Sequence, residues 1–163
     1  MSEKFNTMKK TLKRRKQEKK TNYKLRKGLL KSSKARVVVR KTNKHIIIQF
    51  VKSNEAKDKV EFTINSRILL KHGWPENRKG SLKSVPAAYL TGYLAGKKIG
   101  SNEEIILDLG LQRAISGNRL YAVLKGLVDA GVQIKHNEKI FPKEERINGN
   151  QLKEKIDIEK IKQ

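Results

Sequence analysis

The stretch that decides the fold is VVVRKTNKHIIIQF, which spans Val37–Phe50. Its two runs of β-branched residues, Val37–Val39 and Ile46–Ile48, have the composition of strands in the interior of a sheet. The polar residues 40–45 between them are typical of a turn, where Asn43 tolerates a left-handed backbone conformation. The stretch therefore predicts an antiparallel hairpin. Its tip carries three full positive charges and a histidine, which repel one another unless an anion relieves them.

The residues that follow the hairpin extend it into a larger sheet. Asp58–Asn65 (DKVEFTIN) alternates apolar and polar residues, which predicts a third, half-exposed strand. Ser84 and Pro86 mark the start of a helix that runs to about Ile99. Residues 104–110 (EIILDLG) predict a buried strand, and residues 119–131 (RLYAVLKGLVDAG) predict an amphipathic helix. Strands followed by a helix, a strand and a helix indicate an α/β fold, with a mixed sheet and packed helices.

One helix carries small residues at every fourth position. Ala88, Gly92 and Gly96 lie on one face of the predicted helix, so another backbone can approach that face closely. In a membrane this spacing indicates helix dimerisation. In so polar a chain we expect the flat face to pack on the sheet.

The positive charge is concentrated at the N-terminus. The chain of 163 residues has a net charge of +23, from 39 basic and 16 acidic residues. Residues 1–44 hold 18 of the basic and two of the acidic residues, which leaves 21 basic and 14 acidic residues for the other 119 positions. We therefore divide the chain into a basic arm with a short helix (1–34), an α/β domain (35–150) and a partly helical C-terminal tail on the surface (151–163). An imbalance of this size favours a polyanionic partner, nucleic acid first and an anionic membrane surface second.

The arm has two parts with different composition. Residues 8–20 (MKKTLKRRKQEKK) contain too few apolar residues to offset the entropy of ordering, so alone they are expected to be disordered. Residues 21–33 (TNYKLRKGLLKSS) predict a short helix with Thr21 as its N-cap. Tyr23 either stacks on an unpaired RNA base among neighbouring cations or packs the helix against the body, and the sequence leaves both roles open.

Several classes of function lack their sequence signals. The chain has no cysteine, and its three histidines are far apart, which argues against disulfides and zinc sites. The longest weakly polar stretch, Val85–Gly96, is shorter than the ~20 residues of a spanning helix, and the N-terminus lacks a secretory signal, so we expect a soluble, cytosolic protein. Patterns of nucleotide-binding loops and nucleophile motifs are missing. Asp108, with Glu104 or Asp129, leaves open a Mg²⁺-dependent nuclease.

Five segments, taken in order, resemble a known family: residues 21–50, HGW (72–74), VPAAYLTGYLAGKK (85–98), ILDLGL (106–111) and RLYAVLKGLVDAGVQIKHN (119–137). They are similar to the large-ribosomal-subunit protein of the L-eighteen family, above all to its archaeal form, whose eukaryotic counterpart is called L-five. The resemblance runs from about Lys9 to Leu152. Archaeal and eukaryotic relatives usually continue beyond INGNQLKEK, so contacts through a long C-terminal region are not expected of this sequence.

The resemblance implies a fold and a structural role in the ribosome. The fold is a compact α/β sandwich with the topology of ribonuclease H but without its active site, so Asp108 matches a strand end and is not catalytic. The implied partners are 5S ribosomal RNA, the large-subunit ribosomal RNA and the L-five-family protein of bacterial nomenclature, in the central protuberance of the large subunit in the cytoplasm. No cofactor, metal, membrane or small-molecule substrate is implied. The rival interpretations are a non-specific basic nucleic-acid-binding protein and, less favoured, an RNA-processing nuclease.

The resemblance also assigns RNA contact to particular residues. They lie in the arm, in the first turns of the short helix, at the hairpin and at the start of the second long helix. The predicted RNA-binding residues are Lys9, Lys10, Lys13, Arg14, Arg15, Lys16, Thr21, Tyr23, Arg26, Lys27, Arg36, Arg40, Lys41, Thr42, Asn43, Lys44, His45 and Arg119.

Overall fold

A computed structural model describes residues 12–55, 57–100, 104–150 and 158–162 of the chain. Its four strands form one sheet in the order β3-β2-β1-β4. The strands are β1 (Arg36–Lys41), β2 (Ile46–Asn54), β3 (Lys57–Asn65) and β4 (Ile106–Asp108). β1 pairs antiparallel with β2 and parallel with β4, and β2 pairs antiparallel with β3. The predicted hairpin, third strand and mixed sheet are therefore confirmed, whereas the ribonuclease H-like topology stays a prediction.

The three longest helices begin where the sequence offers a side-chain cap. They are α1 (Arg14–Gln17), α2 (Tyr23–Lys31), α3 (Val85–Ile99), α4 (Arg119–Asp129), α5 (Glu144–Ile147) and α6 (Ile158–Lys162), with 3-10 turns at Ser66–His72, Glu76–Ser81 and Glu138–Ile140. Ser84 accepts the N–H of Ala87 at the start of α3, as predicted. The N-cap of α2 is Asn22, which accepts the N–H of Leu25, so the prediction of Thr21 was wrong by one residue.

The hydrophobic core lies between the sheet and the pair α3–α4. Val37, Val39, Ile46 and Ile48, from the two runs of the hairpin, are all fully buried. They belong to one apolar cluster that also contains buried residues of α3 and α4. Burying each such side chain stabilises the fold by ~1.5–3 kcal/mol, so the hairpin supplies the base on which both helices pack.

The small residues of α3 contact a helix and not the sheet. A Cβ at Gly92 would lie 2.3 Å from the carbonyl oxygen of Val123 in α4, and one at Gly96 would lie 2.5 Å from the Cβ of Ala130. The reciprocal glycine is Gly126 of α4, where a Cβ would lie 2.1 Å from the carbonyl oxygen of Tyr89. The expectation that this face packs on the sheet was therefore wrong, because the complementary glycine is on α4 and brings the two helix backbones together.

The turn of the hairpin is held by a side chain. The hydroxyl of Thr42 donates to the carbonyl oxygen of His45 and accepts the N–H of the same residue, at 2.8 and 2.9 Å. Asn43 has no positive φ, so the expected left-handed conformation is absent there. The hydroxyl of Thr42 closes the turn together with the backbone, since the N–H of Thr42 also donates to the carbonyl oxygen of His45 at 2.9 Å. Lys41, Asn43 and Lys44 of the tip are exposed.

The two ends of the described chain differ from expectation. Part of the arm is ordered, because residues 14–17 form α1, with an ion pair of 3.0 Å between Arg14 and Glu18. At the other end, Ile158 and Ile161 of α6 are buried in the core cluster, so this helix is not the purely superficial one that was expected. Residues 1–11, 151–157 and 163 lie outside the described residues. Within the described ranges, no helix is long and apolar enough to cross a membrane.

Replacing Gly126 by alanine should destabilise the protein by ~1–3 kcal/mol, because the added methyl group would overlap the backbone of Tyr89. The measurement is the free energy of unfolding in urea. The matched control is Gly28→Ala in α2, where the new Cβ meets nothing within 4 Å and alanine favours the helix by up to ~1 kcal/mol. Equal effects of the two substitutions would contradict the close helix contact.

Candidate nucleic-acid interface

A buried arginine organises the site from inside the sheet. Arg36 is 2% exposed, and its Nη2 donates to the Oδ1 of Asp58 at 2.6 Å and to the hydroxyl of Ser53 at 2.8 Å. Its Nη1 lies 3.5 Å from an Oδ2 of Asp108. Both Nη groups of this buried guanidinium are thus paired within the protein. The RNA contact predicted for Arg36 stays a prediction.

Asp58 connects this buried group to the arm. Its second oxygen accepts a hydrogen bond from the Nη2 of Arg26 in α2 at 2.9 Å. Burial alone would raise the pKa of Asp58. The hydrogen bonds from Ser53 and Arg26 and the charges of Arg36 and Arg26 outweigh that effect and lower the pKa below its usual value. The position of α2 on the body thus depends on an ionised Asp58, and Arg26 is only partly available to a ligand.

Asp108 belongs to the same network of hydrogen bonds and ion pairs. Its Oδ1 accepts the N–H of Gly110 at 2.8 Å and lies 3.6 Å from the Nη2 of Arg40. Arg40 also donates to the carbonyl oxygens of Val39 and Asp108, at 2.9 and 3.0 Å. Among the described residues no group of three His, Cys, Asp or Glu side chains is placed to hold a metal ion. Asp108 therefore acts as a structural anchor for two arginines.

A cationic groove lies between the arm and the end of β4. We name it the arm groove; its volume is about 330 Å³. It brings together predicted residues from separate parts of the chain: Arg15, Thr21, Arg26, Arg36 and Arg40 all line it. The Nε of Arg15 donates to the hydroxyl of Thr21 at 2.8 Å, which folds α1 back toward α2. The groove can accept an extended polyanion, because cations from both sides face the same space.

Tyr23 lies on the outside of α2. Its ring is partly exposed, and the ammonium group of Lys13 lies 4.9 Å from the ring centroid. No residue of α2 is fully buried, and Tyr23 is half-buried. Its two predicted roles, stacking on a base and packing the helix against the body, both stay predictions. A half-exposed ring next to a lysine is the arrangement that binds an unpaired base and its phosphate.

The hairpin tip presents less charge than the sequence indicated. Lys41, Asn43 and Lys44 are exposed, as expected for a ligand-binding tip. His45 accepts a hydrogen bond from the Nε of Arg67 at 3.0 Å, so the proton of the neutral ring is on Nδ1. Burial and the charges of Arg67 and Lys44 lower the pKa of His45, which keeps the ring neutral at pH 7.

Arg119 lies at the first position of α4, on the other side of the hairpin. It lines a second cavity of about 450 Å³, which we name the α4 cavity, together with Lys41, Arg113 and Arg146. Arg113 and Arg146 were not among the predicted RNA-binding residues, because 33 positions separate them and no local pattern relates them. The only signal of either residue in the sequence is its positive charge.

The remaining predicted residues belong to the arm. Lys13, Arg14, Arg15, Lys16 and Lys27 are exposed. Lys9 and Lys10 lie outside the described residues.

Asp58→Asn should destabilise the protein at pH 7 by ~1–3 kcal/mol, because it removes the charge that compensates the buried Arg36. Since the pKa of Asp58 is lowered by folding, its carboxylate stabilises the fold above the unfolded-state pKa of ~3.9. That contribution is lost as the pH falls through the folded-state pKa, so wild type and variant should converge in strong acid.

The measurement is urea unfolding as a function of pH. Glu138→Gln is the control, since it removes the same charge from an exposed position. A constant difference between Asp58→Asn and wild type at all pH values would refute the role of the ionised carboxylate.

Comparisons with known proteins agree with the predicted resemblance. The family described as ribosomal large subunit proteins 60S L5 and 50S L18 matches residues 7–105 and 100–137. The large ribosomal subunit protein uL18 of Korarchaeum cryptofilum is 48% identical over 142 residues, which are 85% of this chain and 70% of the relative. The same protein of Methanospirillum hungatei is 45% identical over 143 residues, 86% of this chain and 79% of the relative. That of Methanothrix thermoacetophila is 42% identical over 153 residues, 92% of this chain and 88% of the relative.

These relatives are structural proteins of archaeal ribosomes, so the nuclease interpretation is excluded and Asp108 keeps its structural role. The matches extend across the arm, the hairpin and both long helices. The chain belongs to the family of large ribosomal subunit proteins L5 and L18.

Proposed function

We propose that this chain binds 5S ribosomal RNA and helps attach it to the large-subunit ribosomal RNA in the central protuberance. It does so as a structural constituent of the large ribosomal subunit in the cytoplasm. The observation that carries the proposal is the arm groove. Cations from α1, α2 and β1 line it, and α2 is fixed beside it through Asp58.

The arm supplies the phosphate contacts of the proposal. Lys13, Arg15, Lys16, Lys24 and Lys27 have no acidic partner within 4 Å among the described residues. The phosphates of RNA hold a cloud of condensed counterions. When such cations neutralise the phosphates, these counterions are released, and their release drives binding. This term gives affinity without sequence preference, so specificity needs other groups.

Specificity is proposed to come from the rigid groups next to the arm. The ring of Tyr23 is positioned to stack on an unpaired base, and the closed turn at Thr42 presents Lys41, Asn43 and Lys44 to RNA in a fixed arrangement. In this view residues 1–34 are the RNA-binding arm, residues 35–150 the scaffold and residues 151–163 a tail. The L-five-family protein is the proposed protein neighbour.

The protein should bind 5S ribosomal RNA at least tenfold more tightly than transfer RNA at the same ionic strength. Cations alone do not distinguish the two RNAs, whereas the fixed groups beside the groove recognise the shape of one of them. Filter binding with each RNA as the competitor of the other measures the ratio. Equal affinities would leave a non-specific basic nucleic-acid-binding protein, which is the second candidate function.

Deletion of residues 1–20 should weaken binding to 5S ribosomal RNA and flatten its dependence on salt. Each phosphate contact that is lost lowers the slope of log K against log salt by ~0.7–0.9. The body should stay folded, because α1 contributes no buried residue. Far-ultraviolet circular dichroism and urea unfolding serve as the control. An unchanged slope in a folded protein would refute the role of the arm.

A further inference from the structure

The α4 cavity has the composition of an anion site. Four of its nine lining residues are cationic, and none is acidic. The cations come from three places in the chain: Lys41 at the end of β1, Arg113 and Arg119 around the loop before α4, and Arg146 in α5. The fold thus collects, around one space of about 450 Å³, charges that repel one another.

These cations are not neutralised inside the protein. Lys41, Arg113 and Arg119 have no acidic partner within 4 Å among the described residues, and the same holds for Arg146. The guanidinium of Arg146 makes one contact of 3.4 Å, to the carbonyl oxygen of Gly117. By contrast, Arg36 and Arg26 are paired with acids on the sheet. A cluster of uncompensated cations around a cavity favours binding of an external anion.

The amides at the start of α4 are not the basis of this site. Asn118 accepts the N–H groups of Leu120 and Tyr121, at 2.8 and 3.1 Å. These donors are therefore satisfied within the protein, and the anion would be held by the four side chains.

The cavity also has an apolar wall. Val85, Ile115 and Leu120 line it, and Ile115 is 58% exposed. An exposed isoleucine beside arginines suits a ligand that carries an apolar surface next to its charge. The ribose and base of a nucleotide have this character, whereas a free phosphate ion does not. The chemistry of the wall therefore favours a phosphate within an RNA backbone.

The α4 cavity is separate from the arm groove. Arg40 lines the arm groove and Lys41 lines the α4 cavity, because neighbouring side chains of a strand point to opposite faces. Gln112 lines both spaces and is fixed between them. Its Oε1 accepts the N–H of Lys41 at 3.3 Å, and its Nε2 donates to the carbonyl oxygen of Val39 at 3.2 Å. One RNA segment in the arm groove thus leaves the α4 cavity free for another segment.

We infer that the α4 cavity binds a backbone phosphate of RNA, through Lys41, Arg113, Arg119 and Arg146, at a second site on the opposite side of β1 from the arm groove. The inference rests on the proposed function in that it takes RNA as the ligand. The phosphate has two possible sources: another segment of the RNA that the arm binds, or a second RNA molecule.

The first test uses a probe that is independent of any particular RNA. Inorganic pyrophosphate is titrated into the full chain while the Nε–Hε signals of Arg113, Arg119 and Arg146 are followed by NMR. We expect saturable shifts of these signals, and loss of the response of Arg119 in Arg113→Gln/Arg146→Gln. The charge-matched control is Lys57→Gln/Lys71→Gln, which removes two exposed lysines of β3 and the 3-10 turn and should respond like wild type.

The second test measures RNA binding by the same variants. If the phosphate belongs to the RNA held by the arm, Arg113→Gln/Arg146→Gln should weaken 5S ribosomal RNA binding and lower the salt slope by ~1–2. If it belongs to a second RNA, binding of 5S ribosomal RNA should match the control. The loss should then appear when the preformed complex binds a large-subunit ribosomal RNA fragment.

The inference is overturned if the cavity variant equals the control in the pyrophosphate titration and with both RNAs. Urea unfolding checks the fold. If the double variant is unstable, the tests are repeated with Arg113→Gln alone, because the Arg113 guanidinium makes no hydrogen bond or ion pair to the described residues. Failure of the preference for 5S over transfer RNA would refute the proposed function only. The pyrophosphate titration would still decide whether the cavity binds phosphate.

Discussion

The burial of the Arg36 guanidinium, at the start of β1, is the constraint on which the arm and the sheet both depend. Burying an unpaired charge costs several kcal/mol, so Arg36 requires its acids. Those acids lie on β3 and β4, at the two edges of the sheet, and Asp58 on β3 also binds Arg26 of α2. No residue of α2 is fully buried, and this chain of charges links the helix to the body.

Several acidic residues of the α/β domain form ion pairs or hydrogen bonds inside the protein. Asp58 and Asp108 compensate the charges of arginines in the sheet. Asp129 accepts a hydrogen bond from the hydroxyl of Tyr89 and forms an ion pair with Lys125. Glu104 lies between Lys34 and Lys135. Neither the hairpin tip nor the lining of the α4 cavity contains an acid, and α2 contains none either. The placement of the acids, more than the total charge of +23, therefore decides which described surfaces attract an anion.

Local patterns in the sequence were sufficient to predict the helices and strands. They were insufficient to predict which of these elements contact one another. The β-branched runs around Arg40–His45 gave the hairpin, and Ser84 with Pro86 gave the start of α3, because these signals act over a few residues. The spacing of Gly92 and Gly96 indicated only that some backbone comes close. Its partner, Gly126, is identified by the fold alone.

The surroundings of individual cations could not be predicted for the same reason. Arg36 was predicted as one of the cations that contact RNA, and its acidic partners lie 22 and 72 positions further along the chain, so its neighbours in sequence gave no sign of its burial. Arg113 and Arg146 were omitted because they meet only in the folded protein.

The hairpin tip shows how strand geometry distributes repelling charges. Arg40 folds back onto Asp108 and two carbonyl oxygens, and His45 is neutral, so Lys41 and Lys44 are the tip cations that face solvent. Lys41 points into the α4 cavity, on the opposite side of β1 from Arg40. The cations that are adjacent in the sequence of the tip therefore lie on two faces of β1 in the folded protein. This separation reduces their mutual repulsion before any anion binds. On the side of Arg40, Asp108 already supplies a negative charge, at 3.6 Å. No acid lines the α4 cavity on the side of Lys41, so relief of the repulsion there requires an external anion.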